Sequence, residues 1–262
     1  MSRLSDAAAN LEDFTDPRNY DLEEVEATRQ RLPFYCSLAR RCGGSVLDLA
    51  CGSGLITVPI AAECKDVTGV DLSRHMLEHA RIKASGLGVR ITWLHGDIRT
   101  LRLGRLYDLI LLTGNAFQAL LTREDQEALL QVAREHLAAS GLFVFETRNP
   151  SGHDLSLRES EEHWYSYTST EGSLVEVTGT QSYDPVLQLM YWTTFRRWTI
   201  GSQPHVRQTR ITCRFTHPQE LLTLLAHNGL EVVWQHGDWE GSPVTSSSEH
   251  IISACRVAGG HS

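Results

Sequence analysis

The sequence predicts an α/β fold: a mostly parallel, seven-stranded sheet with helices on both faces, carrying an antiparallel β insertion after its fifth strand. Two observations support it. From Leu22 to Glu146, short apolar runs alternate with amphipathic helical stretches, the pattern of successive βαβ units. From His163 to Phe215 the chain turns rich in Thr, Tyr, Trp, Val and Ser and alternates with period two.

The elements follow in order. Leu22–Arg41 opens with charged residues and continues with apolar ones at helical spacing, a helix that Pro33 should kink or divide. Ser45–Ala50 reads as a buried strand, Leu55–Glu63 as a helix, Asp66–Val70 as a strand and Ser73–Ser85 as a helix. Val89–Leu94 and Tyr107–Leu112 read as strands, Arg123–Ala139 as a long helix and Leu142–Glu146 as the fifth strand. The pattern changes at Asn149-Pro150. Beyond it come three or four antiparallel strands, with Tyr183-Asp184-Pro185 supplying a turn. Pro218–Asn228 is a helix stopped by Gly229, and Leu230–Gln235 and Glu249–Val257 are two closing strands. Residues 1–150 and 217–262 therefore form the core, with 151–216 inserted as a cap or dimerisation element.

Composition narrows the function classes. The chain has 262 residues, 41% hydrophobic and 21% charged, as expected of a globular protein. Its formal charge is −8, and no Lys/Arg cluster exceeds Arg40-Arg41 or Arg196-Arg197, which disfavours nucleic acid as a partner. No stretch approaches the ~20 apolar residues of a membrane span. The polar segment Met1–Asp16 lacks the apolar core of a secretion signal. The six cysteines form no CxxC pair, and the twelve histidines show no HExxH or HxH spacing, so no metal site is expected. Free thiols and a cytoplasmic location follow.

The chemistry concentrates in Val46-Leu47-Asp48-Leu49-Ala50-Cys51-Gly52-Ser53-Gly54. A buried strand runs into a glycine turn and then a helix. Glycine permits the sharp bend and close ligand approach, and the helix N-terminus offers unpaired N–H groups. Asp71 ends the second strand, where a carboxylate can accept both ribose hydroxyls of a nucleoside. Asp97 follows the third strand, within reach of an adenine amino group. A dinucleotide fingerprint would place a third glycine where Thr57 stands. The carboxylate of Asp48 would repel a pyrophosphate but attract an ammonium, directly or through water.

With these residues in view, the chain resembles the class I S-adenosylmethionine (SAM) dependent methyltransferases, whose fold is Rossmann-like. Asp48–Gly54 resembles their Asp/Glu-x-Gly-x-Gly-x-Gly motif, with Ala50 in place of the first glycine. Tyr107–Phe117 resembles their fourth motif. Leu137–Phe145 resembles their turn into strand five, with Ala139-Ser140 for the usual Pro-Gly. The resemblance implies SAM as cofactor, contacted by Asp48, Ala50, Cys51, Gly52, Gly54, Asp71, Leu72, Met76, Asp97, Ile98, Thr113 and Phe117. Within that superfamily the chain is most similar to the bacterial branch of aminosugar N,N-dimethyltransferases and peptide amino-terminal methyltransferases. That branch carries a comparable insertion and a Tyr-Asp near its start, here Tyr20-Asp21, in a segment that often closes over the cofactor. Its acceptors imply a small-molecule or peptide partner, methylated at nitrogen more readily than at oxygen, and a monomer or homodimer.

Position nominates Tyr20, Asn115, Arg148 and His153 as catalytic candidates. Asn115 follows strand four and is placed to hydrogen-bond an acceptor. Arg148 and His153 follow strand five at the sheet's ligand edge, placed to meet an acidic substrate or to act as base. Phe117 stands as a wall of the methyl channel or as a core residue. Trp164, Tyr165, Tyr167, Tyr191, Trp192 and Trp198 either pack a sheet face or line an acceptor pocket. Two other functions remain open at this point: a SAM-binding protein without transferase activity, and a nicotinamide-dependent oxidoreductase.

Overall fold

The computed structural model describes residues 10–150, 155–156 and 158–259. The main sheet comprises β1 (Val46–Leu49), β2 (Val67–Asp71), β3 (Thr92–His95), β4 (Tyr107–Leu112), β5 (Leu137–Arg148), β10 (Leu230–His236) and β11 (His250–Val257). Its order is β10-β11-β5-β4-β1-β2-β3. All pairs from β5 to β3 are parallel, while β11 runs antiparallel to both β5 and β10. The mixed α/β fold predicted from the apolar periodicity is present. Every residue of β1 and β2 is buried, so these strands show no alternation of apolar inward and polar outward residues.

Among the described residues six α-helices accompany these strands: α1 (Pro17–Glu23), α2 (Val25–Cys42), α3 (Thr57–Glu63), α4 (Arg74–Gly86), α5 (Arg123–His136) and α6 (Pro218–His227). Three Phe rings mark the centre of the core, with Phe143–Phe145 and Phe117–Phe145 centroids 4.9 and 5.1 Å apart.

Several boundaries differ from the sequence expectation, β3 for instance starting at Thr92 rather than Val89, and two of them have a visible cause. The first helical stretch breaks at Glu24, not at Pro33, which lies inside a continuous α2. Proline removes one intrahelical hydrogen bond, and the buried face of Tyr35, Leu38 and Ala39 holds the helix beyond it. Helix α5 stops three residues early, at His136, and β5 begins at once with Leu137 paired to Tyr107. The His136 ring sets that stop. Its Nε2 accepts from the Leu103 N–H at 2.9 Å, which leaves Nδ1 to donate to the Val132 carbonyl at 2.8 Å.

A second sheet is an antiparallel meander of β6 (Arg158–Thr168), β7 (Leu174–Asp184), β8 (Leu189–Ile200) and β9 (Gln203–Arg214). Strands β8 and β9 pair over their full length, from Leu189↔Arg214 to Ile200↔Gln203. The N-terminal segment ties the two sheets together. Arg196 on β8 pairs with Asp13 at 3.1 Å and with Glu23 at 2.8 Å. Asp21, on the same α1, accepts from Lys83 of α4 at 2.7 Å. Among the described residues no helix is long and apolar enough to cross a membrane, and all six cysteines are unpaired.

Candidate active site

In an open parallel sheet, ligands bind outside the carboxyl ends of the strands where the order reverses. Here that point lies between β1, with β2 on one side, and β4 on the other. A cavity of about 830 Å³ opens there, and the second sheet closes its far side. Binding sites for small ligands commonly span about 300–1,000 Å³, so this one has room for a nucleoside and an acceptor.

The glycine turn after β1 shapes the floor. Ala50, Gly52 and Gly54 all adopt left-handed backbone, with φ of 52°, 54° and 77°. Ala50 stands where glycine would be unstrained, at a cost of about 1 kcal/mol. Gly52 and Ala50 line the cavity, with Cys51 between them. Gly54 does not. A Cβ there would sit 3.0–3.2 Å from Val58, Trp93 and Ala80, so this glycine serves the packing of turn on helix.

Asp71 lines the cavity from the end of β2. It accepts from the Gly52 and Ser73 backbone N–H groups, each at 2.7 Å. Burial raises its pKa above the usual carboxylate range, and those two bonds oppose the rise. Asp48 is placed differently. It is 1% exposed and off the cavity wall. One carboxyl oxygen accepts from the Thr57 hydroxyl at 2.6 Å and the other has no partner. Burial pushes its pKa up to about 7. Asp97 does line the cavity, but Arg99 grips it by several hydrogen bonds, the shortest 2.7 Å, and also reaches Asp125 at 3.0 Å. Burial would raise the Asp97 pKa, and the Arg99 bonds hold it below the usual range.

Leu72, Met76, Ile98 and Thr113 complete the strand-end wall. Phe117 lies elsewhere: it is fully buried against Phe145 and belongs to the core rather than to a methyl channel. Of the catalytic candidates, Tyr20, Asn115 and Arg148 line the cavity. Burial and the nearby Glu24 carboxylate raise the Tyr20 pKa, so its phenol stays protonated. Asn115 has left-handed backbone at φ 57° and a buried amide oxygen without a partner. His153 lies outside the described residues.

Among the residues at or behind the cavity wall that escaped the sequence reading, three stand out. Arg31 of α2, 6% exposed, lines the cavity and pairs with Glu24 at 2.8 Å and with Glu146 at 3.6 Å. Glu146, fully buried at the end of β5, also accepts from the Tyr35 hydroxyl and from the Gly114 N–H at 2.7 Å. Burial raises its pKa, against the pull of Arg31 and Tyr35. His250 opens β11 directly opposite Arg148 of β5 and lines the cavity, its ring 5.5 Å from Trp239. Burial, then Arg148, lowers its pKa below the usual imidazole range. From the second sheet, Trp164, Tyr165 and Trp192 reach the wall. Trp198 instead stacks on His205, 5.5 Å away.

Residues 46–141 match a family model described as a methyltransferase domain. That stretch is similar to a methyltransferase domain. Over 102 residues the chain is 34% identical to the dTDP-3-amino-3,4,6-trideoxy-alpha-D-glucopyranose N,N-dimethyltransferase of Streptomyces venezuelae, spanning 39% of this chain and 41% of that relative. Over 211 residues it is 26% identical to the cypemycin N-terminal methyltransferase of a Streptomyces species, spanning 80% of this chain and 82% of the relative. The crystal structure of a SAM-dependent methyltransferase from Clostridium acetobutylicum shares the fold, with a TM-score of 0.79, 20% identity, and coverage of 92% of this chain and 96% of that one. The chain spans less than half the length of several curated relatives that it matches. The matched stretch holds the whole glycine turn, Asp71, Asp97 and Asn115; Arg31, Glu146, Arg148 and His250 come from outside it.

Proposed function

We propose that this protein transfers a methyl group from SAM to nitrogen on a small molecule or peptide. The observation that carries this reading is a single cavity joining Asp71 and the glycine turn to the aromatic wall of the second sheet. The residues present fit the cofactor. Asp71 would accept from ribose hydroxyls, and Leu72 and Ile98, on the same wall, would offer apolar surface to the adenine. Arg31, charge-paired with Glu24 and Glu146, keeps one buried Nε–H without a partner, a single donor that the cofactor would satisfy. When bound, SAM supplies a methyl group already activated by its sulfonium.

The chain's own contribution is then orientation and water exclusion. Residues 151–216 act as a cap on the acceptor half, which the reach of Trp164 and Trp192 into the cavity supports. An amine attacks only through a free lone pair, so a protonated acceptor must first lose a proton. His250, kept neutral by burial and by Arg148, is the group in the wall suited to take it. Tyr20 and Asn115 bind and orient. Nitrogen as the methylated atom is supported by the two relatives named above, and the six unpaired thiols support a reducing compartment such as the cytoplasm.

A thermal melt tests the cofactor half. A ligand at 100 times its Kd adds about 2.7 kcal/mol, and a domain of this size melts roughly 2–4 °C higher per kcal/mol. SAM and S-adenosylhomocysteine should each raise Tm by several degrees, NADH should not, and Asp71→Ala should abolish the shift. No shift with either adenosyl ligand overturns the reading.

A further inference from the structure

Four arginines line the cavity: Arg31, Arg99, Arg148 and Arg196. Three are neutralised within the protein. Arg31 faces Glu24 and Glu146, Arg99 faces Asp97 and Asp125, and Arg196 faces Asp13 and Glu23. Arg148 has no carboxylate partner among the described residues. Its guanidinium lies 5.4 Å from the Trp192 ring centroid instead.

The acids nearest Arg148 in the ladder do not pair with it: Glu146 faces Arg31 and Tyr35, and Glu249 is exposed beside His250. The partner of Arg148 across the β5–β11 ladder is His250, and its own backbone N–H donates to Gln118. Trp192 donates through its indole N–H to Gln181 at 3.4 Å, which fixes the ring beneath the guanidinium. The cavity's acids are committed elsewhere: five to the three paired arginines just named and Asp71 to two backbone N–H groups. Glu124 also lines the wall, from the exposed first turn of α5. An arginine stacked on an aromatic ring keeps its N–H edge free and planar, the geometry that binds carboxylate or phosphate oxygens in pairs.

We infer that the methyl acceptor carries an anionic group, a carboxylate or a phosphate, and that Arg148, held flat by Trp192, is the residue that binds it. This rests on the transferase reading above, because it assigns the second-sheet side of the cavity to the acceptor. The anion would complete the ion pair left open among the described residues of the wall and set the acceptor's position relative to His250. Neutral amines of the same size would lack that anchor.

Arginine footprinting tests this on the full chain without a known acceptor. The protein is treated with phenylglyoxal at constant ionic strength in chloride, inorganic phosphate or acetate, and modification is followed for each arginine by peptide mass spectrometry. Arg148 should react several-fold faster than Arg31, Arg99 and Arg196. Phosphate or acetate should slow it several-fold while leaving the surface residues Arg105 and Arg256 unchanged. Protection by phosphate alone assigns a phosphorylated acceptor, protection by acetate alone a carboxylate such as a peptide terminus, and protection by both the shared anion chemistry. Trp192→Leu should fold with an unchanged melt yet weaken the protection. Protection by neither anion, or equal protection of Arg105 and Arg256, overturns the inference. A SAM-dependent melt shift retained in that case would leave the transferase reading standing.

Discussion

Asp48→Asn should make the protein relatively more stable as pH rises. Asp48 is 1% exposed, has one hydrogen bond, from Thr57, and keeps one carboxyl oxygen unpartnered. Burial raises its folded pKa from the ordinary 3.8 to about 7. A raised folded pKa means that the folded state holds a proton the unfolded chain has released. The group's stabilisation is therefore complete below pH 3.8 and is lost as pH climbs through about 7. About three pH units at about 1.4 kcal/mol each amount to roughly 4 kcal/mol. Asparagine has nearly the shape of the protonated acid and cannot ionise. The two proteins should be similar at pH 4, and the variant should lead by a few kcal/mol at pH 9. Urea unfolding across that range measures the difference, in which titrating groups that do not sense Asp48 cancel. A difference that stays flat with pH, or that turns against the variant in alkali, would refute the assignment of Asp48 as a buried neutral acid.

Other outcomes follow from the site. His250→Gln should lower kcat by about 10²–10⁴ if the imidazole takes the acceptor's proton, and it should remove the acidic limb of the pH–rate profile while leaving the SAM-induced melt shift intact. Phe117→Ala should cost about 3–5 kcal/mol in urea unfolding, because the ring fills the core beside Phe145. Retained stability in that variant, with lost turnover, would return Phe117 to the methyl channel.

Most of the main sheet was legible because its strands are buried on both faces and announce themselves as apolar runs. The glycine turn and Asp71 were legible for a related reason: both lie within a few residues of a strand end whose position is already known. Where legibility failed, the deciding contact was distant. The end of α5 depends on the Leu103 N–H reaching the His136 ring, a contact between loop and helix that no local periodicity encodes. Gly54 reads as a ligand glycine by spacing, yet its neighbours are Trp93 and Ala80, supplied by β3 and α4.

Arg31, Glu146 and His250 make the same point at the level of chemistry. In sequence, Arg31 is one more charged residue on an amphipathic helix, Glu146 the end of an apolar strand and His250 the start of another. Their meaning arises when α2, β5 and β11 converge on the carboxyl ends of the sheet, over sequence separations of a hundred residues or more. The proposed cofactor contacts fall mainly in one contiguous stretch, so a family can hold their spacing. The proposed acceptor side of the cavity is assembled from the N-terminal helices, the second sheet and the last strand. The region from 46 to 141 that matches the family model accordingly holds most of the residues proposed to meet the cofactor. Arg148, Trp192 and His250 lie outside it, and substitutions among those three should change which acceptor is used while the affinity for SAM stays the same.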